Sequence, residues 1–321
     1  MVAVPIQSQP YTREAVCSHI ERWWSQQLSW PQYVQSLRLA LFPSESESTS
    51  AIPFVFLPGL CCHASGGDPA QAVGAAAAWV LLYTAAHILD DLADGETAGA
   101  SGPVINVATG LIFTAIRALI VPPCSRGVER TQAALIDDFT ATAFRMCAGQ
   151  HADLCAATDS LELGWKIAEA KSGACFALAC RAGARLAGAP DEVVECYSQF
   201  GNHLGVLLQI CDDLHGLWAP AGARSDLAMG KRTLPVVYAL SVLPAEERET
   251  LLKDLDGAPQ GPAAETRARK IIEQSGAAVY LAVEARRRST QALACLDAAR
   301  PSMAPRAWLS TFLTALLPQH E

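Results

Sequence analysis

This chain has little charge and few aromatic rings. Asp, Glu, Lys and Arg make up 17% of its 321 residues and aromatic residues 7%, against 51% hydrophobic residues. Solvated faces must therefore be narrow and the core large. What charge there is runs acidic, with a net −8. That removes the basic surface a nucleic-acid partner needs, and it suits a protein that holds a polyanionic substrate through cations. Alternating strand-like runs are nearly absent, and neither a long polar linker nor a fixed-period repeat marks a boundary. Met1–Pro10 has neither the basic stretch nor the apolar core of a secretory leader. The eleven cysteines are scattered, so they are expected to be reduced, buried small hydrophobes in a cytoplasmic protein. No Cys/His spacing fits zinc, His63 after Cys61 and Cys62 being the nearest approach.

Helical patterns fill the chain. Thr12–Phe42 is amphipathic around Val16, Ile20, Trp23, Trp24, Leu28 and Leu37, with Pro31 breaking or kinking it. Trp23, Trp24 and Trp30 read as core or interface packing. Further helices are predicted over 69–93, 103–121, 128–158, 160–188, 190–218, 231–242, 244–256 and 263–298, with a last one near 304–317, Gly and Pro punctuating them. The expectation is one all-α domain over 1–321: an N-terminal helical and loop segment (1–50), a motif-bearing core (51–245) and C-terminal helices (246–321). Pro69–Leu89 runs without a formal charge for long enough to cross a bilayer. It is mostly Ala, carries Gln71 and His87 and runs into aspartates, which marks the centre of a large helical domain, not a stable membrane span.

Those aspartates, Asp90, Asp91 and Asp94, form an Asp-Asp-x-x-Asp box, and a partner follows at Gln209-Ile210-Cys211-Asp212-Asp213. At 3.6 residues per turn, Asp90 and Asp94 share one face with Asp91 beside them. Clustered like charges repel, and at a helix C-terminus they also oppose the dipole. A cation relieves both. Hard carboxylate oxygens without His or Cys nearby select Mg²⁺, which keeps waters and bridges to a substrate phosphate.

Five segments in order, over about residues 45–245, resemble the trans-isoprenyl diphosphate synthase (polyprenyl synthetase) family. They are Gly66-Gly67-Asp68 before the first box, Gly149-Gln150-x-x-Asp153, Lys171-Ser172, Phe200-Gly201 through Asp213, and Asp226-Leu227-x-x-Gly230-Lys231-x-Thr233-Leu234-Pro235. The resemblance implies an isoprenoid synthase-type helical bundle around a deep apolar cavity, with two aspartate helices facing each other at its mouth across three Mg²⁺ ions. Asp90, Asp94 and Asp212 are then expected as metal ligands, with Asp91 and Asp213 orienting them. Lys171, Gln209 and Lys231 are expected on an allylic prenyl diphosphate, and Arg224 is expected to substitute for a lysine that the family often carries upstream of the Asp226 run. The family habit is a homodimer. The implied chemistry is ionisation of a carbon–oxygen bond, helped by charge stabilisation on the departing diphosphate and by a dry cavity around the carbocation.

The departures matter as much. Where elongating members bind isopentenyl diphosphate through Gly-Gly-Lys-Arg-x-Arg-Pro, this chain has Glu47-Ser48-Thr49-Ser50-Ala51-Ile52-Pro53. Their Arg-Arg pair after the first box becomes Gly99-Ala100. A diphosphate needs several cationic donors to leave water, so the second substrate site is the one lost. The reading placed first is therefore a class I terpene synthase that cyclises or quenches a C15 or C20 cation. The alternatives are a prenyl diphosphate synthase or prenyltransferase drawing cations from elsewhere, such as Arg117, Arg126 or Arg130, and a non-catalytic partner subunit. The second box also ends in Gly216 in place of Asp, and Asp226 reads either as a turn cap or as a ligand. Upstream of the first box, Ala85, Ala86, Leu82, Tyr83 and Trp79 are expected to line the cavity, Trp79 lying about 16 Å of helix below Asp90.

Overall fold

The computed structural model describes residues 13–27, 29–42, 54–95, 100–120, 128–155, 160–218 and 225–317. Every regular element among them is helical. In order these are α1 (Arg13–Gln27), α2 (Pro31–Leu41), α3 (Leu57–Ala64), α4 (Val73–Ala93), α5 (Ser101–Ala118), α6 (Val128–Cys155), α7 (Leu161–Ala168), α8 (Ala174–Leu186), α9 (Asp191–Leu217), α10 (Leu234–Val242), α11 (Ala245–Gly257), α12 (Pro262–Gln274), α13 (Ala277–Ala298) and α14 (Met303–Leu316). The all-α expectation holds. Contacts gather into two compact units, neither continuous in sequence.

The first unit, residues 1–144, 175–201 and 294–310, is built on α4. Its Ala75–Ala78 run is buried, together with Trp79, Val80, Leu81, Leu82 and Ala85. Small side chains let neighbours approach closely, and α4 packs along α5 and against α1, α2 and α3. Pro69–Ala93 is the one stretch among the described residues long and apolar enough to span a membrane, and its apolar residues form this core. Trp24 of α1 is fully buried and donates its indole N–H to Thr114 Oγ1 of α5 at 3.4 Å. Asp68 turns the chain into α4 by accepting the Ala70 amide at 3.0 Å. Two glycines set close approaches: a Cβ at Gly67 would meet Ala187, and one at Gly183 would strike the Pro58 carbonyl of α3.

The second unit, residues 145–174, 202–293 and 311–321, centres on α10. This short helix is apolar nearly all round, with Leu234, Val236, Val237, Ala239 and Leu240 buried. It packs on α7, α11 and α12, and Val236, Ala239 and Leu240 join Leu217, Leu227, Leu251, Leu255 and Ile272 in one cluster. Gly164 of α7 leaves room for Val237, whose Cγ2 lies 3.1 Å from where a Cβ would stand.

Pro31 breaks 12–42, one of the two effects expected of it: it starts a new helix at the first position, where its missing N–H costs nothing. Two predicted helices need correction. The helix predicted over 160–188 is interrupted by a π turn, Glu169–Gly173. The one predicted over 263–298 ends before Gly276, whose φ of 81° no ordinary helical residue adopts. Helix α3 was absent from the sequence reading.

Candidate active site

In the first unit, the Asp-Asp-x-x-Asp box closes α4. The Asp94 amide returns to the Asp90 carbonyl at 2.9 Å, and Gly95, at φ 70°, turns the chain away. Asp91 is exposed, while Asp90 and Asp94 are half-buried on the neighbouring face. Behind them runs a column of rings one turn apart. Trp79 stacks on Tyr83 (centroids 5.1 Å, planes 20° apart), and Tyr83 meets His87 edge-on at 4.4 Å. Phe176 of α8 stands edge-on to Trp79 at 5.4 Å and to Tyr83 at 6.0 Å, and Phe54 packs on Phe176 at 5.0 Å. The Trp79 indole N–H donates to the Cys175 carbonyl at 2.8 Å, which fixes the lowest ring. Of the expected cavity residues, Trp79 and Tyr83 belong to this column, Leu82 and Ala85 are buried beside it, and Ala86 is half-buried. Phe176 and His87 were not foreseen as members. His87 had a signal in its i+4 spacing from Tyr83, whereas Phe176 lies far away in sequence.

In the second unit, Asp212 and Asp213 on α9 take opposite environments. Asp212 is exposed. Asp213 is buried, its Oδ1 accepting from Gln209 Nε2 at 2.7 Å and its Oδ2 from the Leu234 amide at 2.8 Å. It thereby satisfies an orphan donor at the N-terminus of α10. Burial pushes its carboxyl up to about 7, the two hydrogen bonds pull it down, and the nearby Asp226 and Asp212 raise it further. Gln209 is committed inside the protein as well, since its Oε1 accepts from the Ser172 hydroxyl at 2.6 Å. Ser172, Gln209, Asp213 and Leu234 form one relay from the π turn to α10.

The π turn carries Lys171, whose Nζ lies 2.8 Å from Asp153 Oδ2, joining two of the motif segments. Two glycines accommodate the widened turn: a Cβ at Gly149 would meet Ala170 Cβ at 2.8 Å, and one at Gly205 would strike the Ser172 carbonyl. Such insertions in helices mark functional sites. Glu169 opens the turn and pairs with Arg288 Nη2 at 3.0 Å; Arg288 is buried and lies 5.4 Å over the Trp165 ring. The Gln150 Oε1 is buried without a partner.

Residues 225–231 form a tight turn, the Lys231 amide returning to the Asp226 carbonyl at 2.9 Å and Gly230 taking φ 73°. Ser225 anchors it, fully buried, donating to Glu265 Oε1 at 2.6 Å. Lys231 Nζ stands 3.7 Å from Asp226 Oδ1. Arg224, Arg126, the Arg130 side chain, Gly99 and the 47–53 segment lie outside the described residues. Arg117 is exposed on the last turn of α5.

Among the described residues no group of three or more His, Cys, Asp or Glu closes around a metal by itself. Mg²⁺ needs no such cage: one or two carboxylates, waters and substrate phosphate oxygens complete its octahedron. Within the first unit the half-buried Asp90 and Asp94 offer carboxylate oxygens of that kind, and within the second the exposed Asp212 does.

The polyprenyl synthetase family model matches residues 56–274. A short chain isoprenyl diphosphate synthase of Methanothermobacter thermautotrophicus is 30% identical over 245 residues, 69% of this chain and 72% of that one. A (2E,6E)-farnesyl diphosphate synthase of Mycobacterium tuberculosis is 29% identical over 253 residues, 73% of this chain and 70% of that one. Among solved structures, a polyprenyl synthase from Caulobacter crescentus CB15 superposes with a TM-score of 0.79 at 21% identity, covering 96% of each chain. A geranylgeranyl pyrophosphate synthetase from Geoglobus acetivorans gives 0.76 at 19% identity, over 95% of this chain and 99% of that one. These two share the fold. With the motifs, the buried relay behind Asp213 and the matched span together, this chain belongs to the polyprenyl synthetase family.

Proposed function

We propose that the protein is a Mg²⁺-dependent prenyltransferase that ionises an allylic prenyl diphosphate and joins the resulting cation to an acceptor, as a trans-prenyl diphosphate synthase does. The order differs from the sequence reading, which placed a terpene synthase first. The relatives quoted above are prenyl diphosphate synthases by name, and the similarity runs through the whole motif-bearing core. The observation that carries the proposal is the relay from Ser172 through Gln209 and Asp213 to the Leu234 amide. It ties the turn bearing Lys171 to the helix that begins just after Lys231, so both ammonium groups stand on a braced frame.

Bound Mg²⁺ supplies positive charge against the departing diphosphate. Asp90 and Asp94 of the first box, and Asp212 of the second, are the carboxylates this reading assigns to it from the motifs. Lys171 and Lys231 release Asp153 and Asp226 in part and donate to the diphosphate oxygens, an exchange of one anion for another that costs little desolvation. Gln209 acts from behind: with both ends of its amide engaged, it sets the position of Asp213 and Ser172. Tyr83, half-buried and backed by the buried Trp79 and Phe176, is the ring of this column that can meet an apolar chain, and ring faces stabilise a cation by roughly 0.5–2 kcal/mol. The homodimer and the C15 or C20 substrate length are part of this proposal.

One observation favours a second reading. The isopentenyl-binding cations are replaced by Thr49, Ser50 and Ile52, and the later arginine pair by Gly99 and Ala100. A terpene synthase, which needs no second diphosphate, would tolerate that. Purified protein with Mg²⁺ and geranyl, farnesyl or geranylgeranyl diphosphate, with and without isopentenyl diphosphate, separates the two. Longer diphosphates formed only with isopentenyl diphosphate support the prenyl synthase. Hydrocarbon or alcohol formed from the allylic diphosphate alone, indifferent to isopentenyl diphosphate, establishes the terpene synthase in its place.

A further inference from the structure

The π turn Glu169–Gly173 holds Lys171 between two anchors that come from different helices. At its far end the Ser172 hydroxyl donates to Gln209 of α9 at 2.6 Å. At its near end Glu169 accepts from the guanidinium of Arg288, on α13, at 3.0 Å. Arg288 is an expensive residue to place there. It is 7% exposed, its Nε is buried with no partner, and the Glu169 side chain it meets keeps 36% of its surface. A buried charge paired in this way adds little net stability, and an apolar residue of similar size often does as well. Stability therefore does not account for it. The same guanidinium lies 5.4 Å over the ring of Trp165, which stands one helical turn before Glu169. One cation thus spans the last turn of α7 and the first residue of the π turn. Trp165 is gripped from the same helix: its indole N–H donates to the Tyr280 hydroxyl at 3.2 Å, and Tyr280 lies about two turns before Arg288 on α13. Tyr280 in turn stacks on Tyr238 of α10 at 4.2 Å. Of the other basic groups nearby, Arg287 bonds Glu284 at 2.7 Å, and His203 is held below its usual range by burial first and then by Arg288 and Arg287.

We infer that Arg288 and Glu169 are positioning residues for Lys171: through their ion pair α13 fixes where the π turn begins, and so where the Lys171 ammonium group can reach. Gly149 and Gly205 give the widened turn its room, and the anchors at 169 and 172 decide which residues it comprises. Neither Arg288 nor Glu169 needs to touch substrate for this. A misplacement of about 1 Å in a binding group can cost on the order of a hundredfold in rate, so an anchor that stabilises the fold little can still matter to the reaction. The inference rests on the proposal that Lys171 donates to the allylic diphosphate.

A double-mutant cycle on the full chain tests it. Diphosphate release is measured with Mg²⁺ and geranyl, farnesyl or geranylgeranyl diphosphate, with and without isopentenyl diphosphate, as KM and kcat, with Tm beside them. Glu169→Gln, isosteric but uncharged, and Arg288→Met should each raise the allylic KM roughly 2–30-fold, the span over which residues coupled to a site change it, with a smaller change in kcat. Arg288→Lys keeps the charge but not the flat stack on Trp165, so it should fall between the wild type and Arg288→Met. In a Lys171→Met background, Glu169→Gln should change KM by less than about twofold, because a group that acts through Lys171 has nothing left to move. A purely structural role makes the two losses multiply. That outcome, or an unchanged KM in Glu169→Gln where Lys171→Met raises it, would overturn the inference and leave Lys171 on the diphosphate. If Arg288→Met does not fold, Glu169→Gln and its cycle with Lys171→Met decide. An unchanged KM in Lys171→Met would take Lys171 off the diphosphate and the inference with it. No diphosphate release by the wild type from any of the three substrates would overturn the proposed function as well.

Discussion

Single side chains in this protein are separated by what surrounds them more than by their type. Asp212 and Asp213 are adjacent in sequence, yet one faces solvent and the other is buried with both oxygens engaged. Asp90→Ala or Asp94→Ala should lower diphosphate release from an allylic substrate by at least about 100-fold, as loss of a charge-stabilising group does. A phosphate-release assay coupled through an inorganic pyrophosphatase, with thermal melting as the folding control, checks this; near-normal release would remove the box from the chemistry. His203 offers a pH prediction. Its imidazole is held below the usual range by burial first, then by Arg288 and Arg287. The unfolded chain takes up a proton near pH 6.5, roughly the free histidine value, and the folded protein does so only at lower pH. Stability is thus lost as pH falls through that window and levels off below the folded value. The Tm gap between wild type and His203→Gln should narrow from pH 7.5 to pH 5; a constant gap would mean that folding leaves the proton affinity of the ring unchanged.

At the scale of elements, the π turn Glu169–Gly173 is the departure that matters most. Glu169-Ala170-Lys171 has good helix propensity, so nothing local announces a widened turn. Glycines from elsewhere admit it, Gly149 on α6 and Gly205 on α9, together with the pull of the buried Arg288 on Glu169. Gly205→Ala would press a methyl into the Ser172 carbonyl and should cost about 1–3 kcal/mol of stability, as overpacking does. If the turn positions Lys171, the allylic KM should rise more than kcat falls; unchanged kinetics in a folded variant would make the turn an incidental fit. Arg288→Met removes one partner while the half-exposed Glu169 can rehydrate, so the Tm loss should be smaller than for a fully buried pair. The aspartate boxes, Lys171 and the Lys231 run could be picked out as candidates from the sequence because residue type and spacing alone mark them. The break at Gly276, helix α3 and the ring of Phe176 against Trp79 were not, because each is decided by contacts between residues distant in the chain.

For the molecule as a whole, the proposed function turns on what would receive a prenyl group. The motifs read as the allylic half lie within the matched region, while Thr49, Ser50, Ile52 and Gly99 stand where the resemblance places the acceptor's cations. Thr49→Lys with Ile52→Arg puts two of them back. In a prenyl synthase with a weakened acceptor site, the pair should lower the KM for isopentenyl diphosphate roughly tenfold, about 1.4 kcal/mol of added binding. In a terpene synthase, product identity and rate should stay unchanged, and liquid chromatography of the diphosphate products distinguishes the two outcomes.

The crowding of Gly216 by Asp226 also sets how a residue at 216 can be taken in. What a new Cβ there meets is the far end of the Asp226 side chain and no backbone, so the carboxylate has only to turn aside. Because Lys231 Nζ stands 3.7 Å from that carboxylate, a change at 216 should be felt first as a displaced ammonium group, with little loss of stability.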